Sequence, residues 1–362
     1  MKILIITLHR VFNYGSVLQT YATQKFFESL GCEAEIIDYI PKQWQNKALF
    51  WDINEDKGFI KNNIYRCARA FSVILKKLTF GGFLRKKVKM TKKYYSPGEL
   101  KSFPPNADVY CAGSDQIWNS KYNGIDDAFF LNFLPENSRK IAYASSFGKK
   151  KLDYNENNEI KSLIESYELL TLRESSAVSI IENMGLYGKQ VIDPTLQINS
   201  KNWIKLASKR LVKEKYLVLM LLYNEDNNAT SMARKIADEK GLKLVKISWE
   251  LFKDSRVDIL MTHRRPEEFI SLIYYADYIV TNSFHGMAFC INLNKQFIVV
   301  KRNEFNSRIE SLLELVGLEE RMQENDVPMT IVNKMIDYSK VNIILNEERE
   351  KTISIFREIL NG

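Results

Sequence analysis

Residues 276–288 read Ala276-Asp277-Tyr278-Ile279-Val280-Thr281-Asn282-Ser283-Phe284-His285-Gly286-Met287-Ala288. Tyr278 to Thr281 has the length and β-branched content of a short buried strand, and Asn282-Ser283 makes a polar turn. The small and apolar residues that follow start a helix. In an open parallel sheet such a turn sits at the carboxyl end of a strand, where these sheets bind ligands. The helix start aims unpaired backbone N–H groups at the turn, and with the Ser283 hydroxyl beside them it makes an anion site. His285 is one of three histidines in the chain. A titratable ring beside an anion site suits acid–base chemistry on a phosphorylated substrate, although a histidine there also serves as a capping or packing residue.

Outward from this stretch the chain alternates strands and helices. Ile3–Leu8 reads as a strand, Asn13-Tyr14-Gly15-Ser16 as a turn, Val17–Leu30 as a helix closed by Gly31, and Ala34–Tyr39 as a second strand. Such a βαβ unit implies parallel pairing. The rhythm breaks between Pro41 and Pro105, which reads as a basic insertion. Within it Ile60, Ile64, Phe71, Leu75 and Leu78 fall at helical spacing, and Gly81-Gly82 is expected to stop that helix. Strands resume at Ala107–Ala112, Lys140–Ser145, Leu169–Leu172 and Lys189–Ile192, then at Tyr216–Leu222, Leu244–Ile247 and Gln296–Val300. The division expected is an N-terminal α/β domain at 1–195, a C-terminal donor-binding α/β domain at 196–345 and a C-terminal helix at 346–362, with a hinge near 194–202. Two such halves would converge on a cleft between strand ends.

The chain has 362 residues, 45% of them hydrophobic, which suffices for two cores, and no apolar run has membrane-spanning length. Met1–Leu8 is too short for a signal peptide and reads as a first buried strand, so a cytoplasmic location is expected. Cys32, Cys67, Cys111 and Cys290 are scattered, which indicates neither a zinc site nor a disulfide framework; no metal and no cofactor are expected. The net charge of +8 favours anionic partners. Much of it lies between Arg66 and Lys93, where Arg69, Lys76, Lys77, Arg85, Lys86, Lys87, Lys89 and Lys92 occur without an acidic residue. No nucleic-acid motif accompanies this charge. A solvated helix packed on its domain is one reading of the region; peripheral contact with an anionic membrane surface at its inner face is the other.

Strand ends carry the candidates for chemistry: Asn13 and Gly15; Ser114, Asp115 and Gln116; Arg173; Asn282, Ser283, Phe284, His285 and Gly286; and, after the last strand, Arg308. Gly15 and Gly113 permit close turns but lie in no dinucleotide or P-loop motif. The Arg173 fork suits a carboxylate or phosphate, or a salt bridge to Glu174. Asp115 serves a sugar hydroxyl or a helix cap, Trp118 a sugar face or a core, and Asp193 before Pro194 reads as structural.

Taken in order, Asn13-Tyr14-Gly15-Ser16-Val17-Leu18-Gln19, Gly113-Ser114-Asp115-Gln116-Ile117-Trp118-Asn119, Leu172-Arg173-Glu174, Asp193-Pro194-Thr195, Thr281-Asn282-Ser283-Phe284-His285-Gly286 and Asn306-Ser307-Arg308-Ile309 resemble the polysaccharide pyruvyltransferase family. The basic insertion is not part of the resemblance. The family implies two Rossmann-like domains facing a cleft, similar to GT-B glycosyltransferases. It implies transfer of pyruvate from phosphoenolpyruvate to two hydroxyls of a sugar, forming a cyclic ketal and releasing phosphate, without a metal. His285 and Arg173 match the histidine and arginine associated with the donor, and Phe284 an apolar neighbour. Asp115 would orient or deprotonate an acceptor that is nucleotide-linked, lipid-linked or polymeric. Two other readings stay open: a GT-B-type glycosyltransferase using a nucleotide sugar, and a non-catalytic glycan-binding module.

Overall fold

The computed structural model describes residues 1–45, 59–222, 227–249, 254–302, 304, 306–324 and 326–361, with the side chains of 59–70, 227 and 361 excepted. Contacts gather these into two units. The first comprises Met1–Phe147, Leu152–Leu172 and Ile180–Lys189; the second comprises Gly148–Lys151, Arg173–Ser179 and Gln190–Gly362. The second unit therefore takes two short segments from the part of the chain that precedes residue 190.

The strands of the first sheet are β1 (Lys2–Ile6), β2 (Glu33–Tyr39), β3 (Met90–Tyr94), β4 (Val109–Ala112), β5 (Lys140–Ser145), β6 (Leu169–Leu172) and β7 (Lys189–Gln190). Their order is β3-β2-β1-β4-β5-β6-β7, and the pairs from β3 through β6 are parallel. Every residue of β4, β5 and β6 is buried, because helices cover both faces of such a sheet and leave no polar side. The helix Tyr14–Ser29 follows β1 and buries Val17, Leu18, Ala22, Phe26 and Phe27. Asn13 caps it by accepting the Ser16 N–H at 2.8 Å. The stretch from Asn13 to Ser16, read as a turn, is thus the cap and first turn of a helix, and Gly15 lies within that turn. Gly31 leaves the helix end at φ +86°, a conformation that glycine takes without penalty.

The reading of 41–105 as an insertion is corrected. The helix Phe59–Lys87 and strand β3 complete the second βαβ step of the sheet, with β3 paired to β2 as its edge. Residues 46–58 and the side chains of Ile60 and Ile64 lie outside the described residues. β3 escaped notice because it is an edge strand with Lys92 and Lys93 exposed, so it lacks an apolar run. Gly81-Gly82 does not stop the helix. Phe80, Phe83 and Leu84 are buried around the two glycines, and that packing outweighs a propensity cost of about 1 kcal/mol per glycine.

The second sheet repeats the plan with β8 (Tyr216–Met220), β9 (Lys243–Ser248), β10 (Ile259–Thr262), β11 (Tyr278–Thr281), β12 (Phe297–Val300) and β13 (Met322–Gln323). Its order is β10-β9-β8-β11-β12-β13, again parallel. Leu217, Leu219, Val280 and Ile298 pack with Ala233 and Ile236 of the helix Asn227–Glu239. The C-terminal helix starts at Tyr338 and runs to Asn361; Arg349 on it donates to the Leu196 carbonyl at 2.8 Å, within the same unit. No helix among the described residues is long and apolar enough to cross a membrane.

Each sheet reverses its strand order once, between β1 and β4 and between β8 and β11, and at each reversal a glycine permits close approach. A Cβ on Gly113 would lie 3.1 Å from Ile5 Cγ2, the Ile6 carbonyl and Thr7 Cβ. A Cβ on Gly286 would lie 2.5 Å from Thr281 Oγ1 and 3.2 Å from Met220 Sδ. Gly286→Ala is expected to cost about 1–3 kcal/mol, as overpacking against stiff neighbours does, and Gly113→Ala less. Urea unfolding checks this; a wild-type midpoint for Gly286→Ala would show that the approach is not what the glycine serves.

Candidate active site

The helix Phe284–Asn292 starts one turn beyond β11. Ser283 is its cap, accepting the Gly286 N–H on Oγ at 3.2 Å, while its own N–H donates to Thr281 Oγ1 at 3.1 Å. Asn282 Oδ1 accepts the Leu222 N–H at 2.8 Å and so ties the ends of β11 and β8 together. Phe284 and His285 occupy the first helical turn, where backbone N–H groups have no intrahelical acceptor. The anion-binding character expected of this turn therefore rests on those two amides. The Ser283 and Asn282 oxygens hold the turn in shape.

Arg173, directly after β6, belongs to the same unit. Its Nη1 donates to Asp193 Oδ2 at 2.8 Å, and its Nε lies 3.8 Å from Glu174 Oε2. Asp193 is thus the close partner, and Glu174, the neighbour expected from sequence, is the looser one. Asp193 caps the short helix Pro194–Gln197 and accepts from the Thr195 N–H at 2.8 Å and its hydroxyl at 2.6 Å on Oδ1. On Oδ2 it also faces His285 Nε2 at 3.7 Å. Burial would raise the Asp193 carboxyl, but the imidazole of His285, the guanidinium of Arg173 and the Thr195 hydroxyl outweigh it and hold the group well below the usual carboxylate range.

The Phe284 ring lies under two guanidiniums, with Arg173 Cζ at 4.7 Å and Arg308 Cζ at 5.7 Å from its centroid, and meets the His285 ring edge-on at 5.2 Å. Cations over an aromatic face are attracted to its quadrupole, so the ring sets the spacing of the charges. Arg308 comes from the first turn of Ser307–Val316, and the Ser307 hydroxyl beside it is buried without a hydrogen-bond partner among the described residues. Arg173, Asp193, Phe284, His285, Ser307 and Arg308 thus bring one acid–base ring, one carboxylate, two guanidiniums and two helix N-termini together. The Asp193 carboxylate faces the imidazole edge. The helix starts and Arg308 suit a carboxylate or phosphate.

The remaining candidates lie in the first unit, where they hold the β1/β4 reversal. Thr7 donates through Oγ1 to the Ser114 carbonyl at 2.8 Å. Asp115 sits at φ +77°, a left-handed conformation that aspartate tolerates, and accepts the Gln116 N–H at 2.9 Å. Gln116 accepts from Asn119 at 2.8 Å. Trp118 is buried; it donates to the Phe129 carbonyl at 3.2 Å and stacks on Phe130, which makes it a core residue rather than a platform for a sugar.

Three features escaped the sequence. Asp193, read as structural, is the hub of the second-unit cluster. Ser307 carried no signal beyond its place next to Arg308. In the first unit the buried His9 faces Asp38 Oδ1 through Nε2 at 3.0 Å, and Arg10 donates to the same oxygen at 2.8 Å. Burial opposes ionisation of Asp38, yet the His9 and Arg10 hydrogen bonds pull its carboxyl down to about 2. A histidine and an arginine just past a first strand were the available hint.

Asp193→Asn removes the close ionic partner of the buried Arg173 and leaves it only the looser Glu174, a change expected to cost about 3 kcal/mol at pH 7, the low end for breaking a buried pair. Because the folded state depresses this carboxyl, its contribution is complete above about pH 4 and falls as acid titrates it. Urea midpoints at pH 7 and pH 3 should therefore differ more for the wild type than for Asp193→Asn. Equal differences would exclude the carboxylate as the source of that acid sensitivity.

Comparison with known proteins agrees with this two-sheet plan. UDP-N-acetylglucosamine 2-epimerase from Rickettsia bellii aligns over 99% of this chain and 97% of its own, with 10% identity and a TM-score of 0.52. The UDP-GlcNAc 2-epimerase from Methanocaldococcus jannaschii aligns over 100% of both chains, with 13% identity and a TM-score of 0.50. An S. aureus MnaA–UDP co-structure gives 99%, 97%, 12% and 0.50 for the same four quantities. At these identities the likeness is one of fold, and the fold is the one expected, two Rossmann-like units of the kind GT-B glycosyltransferases use. No curated protein matches the chain significantly. The polysaccharide pyruvyl transferase profile matches residues 13–304, from the cap of the first helix through β12 and so across the Arg173–Asp193–His285 cluster, and the chain belongs to that family.

Proposed function

We propose that this chain transfers pyruvate from phosphoenolpyruvate to two hydroxyls of a sugar, as a cyclic ketal, in polysaccharide biosynthesis. The observation that carries the reading is the His285–Asp193 pair set beside Arg308 and two helix N-termini. Phosphoenolpyruvate brings a carboxylate, a phosphate and an enol carbon that must be protonated, and the cluster has a group for each.

His285 Nε2 is turned toward Asp193 and buried, so Nδ1 is the nitrogen assigned to the substrate. In the proposed sequence the imidazolium gives its proton to the donor methylene, which becomes a methyl group, and C2 turns electrophilic. A sugar hydroxyl adds to C2 and yields its proton to the neutral ring. The bond between C2 and the phosphate oxygen then breaks, phosphate leaves, and the second hydroxyl closes the ketal. Of the two hydroxyl protons, one ends on the methyl carbon and the other on phosphate. Arg308, the Phe284 and His285 amides and the Ser307 hydroxyl are assigned to the donor's anionic groups. Arg173 acts through Asp193 as a positioning residue. No cofactor beyond the donor enters this chemistry.

His285→Ala is expected to lower phosphate release from phosphoenolpyruvate in the presence of a sugar acceptor by about 10²–10⁴-fold, the usual worth of a positioned acid–base group. Retention of more than about a tenth of wild-type turnover would remove His285 from the chemistry. Calorimetric titration tests the donor itself. Arg308→Ala should weaken phosphoenolpyruvate binding at least about tenfold, in line with a charge-assisted pair. A wild-type protein that binds no phosphoenolpyruvate, with or without acceptor, would overturn the donor assignment.

A further inference from the structure

The helix Phe59–Lys87 buries one side of its C-terminal half. Phe80 stacks with Phe12 at 6.5 Å and meets Tyr14 edge-on at 5.2 Å, and Phe83 meets Tyr21 at 5.8 Å. The opposite side is also apolar. Phe71, Ile74 and Leu78 are 54%, 49% and 60% exposed, and their spacing of three and four residues puts them on one face. Beyond them the exposed side chains of Arg85, Lys86 and Lys87 end the helix, followed by Lys89 and, on β3, Lys92 and Lys93. From Phe59 to Tyr95 the sequence holds eleven lysines and arginines and no acidic residue.

We propose that this face seats the protein on a lipid bilayer carrying anionic headgroups. Three neighbouring apolar side chains at helical spacing, bordered by cations, are what a helix lying in the interface plane requires: the apolar groups enter the acyl boundary and the cations meet the headgroups. Charge decides against a second copy of the chain, since a two-fold contact through this face would set the same cations against each other. Pairing through the β3 edge is likewise opposed by Lys92 and Lys93. The inference does not depend on the proposed reaction.

Sedimentation of the full chain with phosphatidylcholine vesicles, and with vesicles that also contain phosphatidylglycerol, tests it at low salt. Binding to the anionic vesicles alone is expected, weakening as salt rises. Arg85→Glu/Lys86→Glu/Lys87→Glu should reduce it at least about a hundredfold, given about fivefold for each basic side chain at the surface. Phe71→Ser/Leu78→Ser should reduce it at least about tenfold while leaving circular dichroism and the melting temperature unchanged, because both residues are exposed. Equal binding to neutral and anionic vesicles, no binding to either, or wild-type binding by both variants would overturn the proposal. So would concentration-dependent dimerisation that Leu78→Ser abolishes in a protein that ignores vesicles.

Discussion

A guanidinium and a carboxylate taken out of water cost several kcal/mol each, and the site of this protein is organised around one such pair, Arg173 and Asp193. Neither ion can stand alone, so each fixes the other. The pair also fixes what surrounds it: Thr195 completes the coordination of Asp193, the Phe284 ring lies under Arg173, and His285 is turned so that Nε2 points at the shared carboxylate. The chain segment Arg173–Ser179 belongs to the second unit although β6 just before it belongs to the first. The ionic partner of the arginine at its head lies in that unit.

In the proposed reaction the pair supplies fixed charge rather than mobile charge. In the proposed proton transfer, a carboxylate already fixed beside the imidazole needs no reorganisation. Helix starts add direction. Phe284–Asn292 and Ser307–Val316 both present a first turn to this cluster, one carrying His285 and the other Arg308. A strand reversal such as that between β8 and β11 is where open parallel sheets bind ligands, and Gly286 lets the helix start close above Thr281 and Met220.

Much of the plan was legible in the chain. β5, β6 and β11 have the bounds read from their apolar runs, since a strand buried on both faces announces itself locally. β3 did not, because this edge strand is only partly covered and carries exposed lysines; β10 did not, because its four residues are an edge strand that stays half-buried throughout. Gly81-Gly82 misled for the same reason in reverse: local propensity argued for a stop, and burial of Phe80, Phe83 and Leu84 carried the helix on to Lys87. Trp118 shows the limit for side chains. Its motif pointed equally to a sugar platform and to a core, and only its burial among Phe130, Phe147 and Tyr167 decides for the core.

By itself, the sequence determined the alternation of parallel strands and helices, the polar clusters at their carboxyl ends, His285 as the ring of interest and the family resemblance. These are properties of short windows and of motif order, set by hydrophobic period and turn chemistry. The tertiary structure decided which distant residues meet. That Asp193 would join Arg173 to His285, that Arg308 would share the Phe284 ring, and that the Ser307 hydroxyl would be buried without a partner among the described residues depends on how crossovers order the strands in a sheet, and no local pattern encodes that order. A buried carboxylate declares its role through the charges packed around it, and those come into place only when the chain has folded.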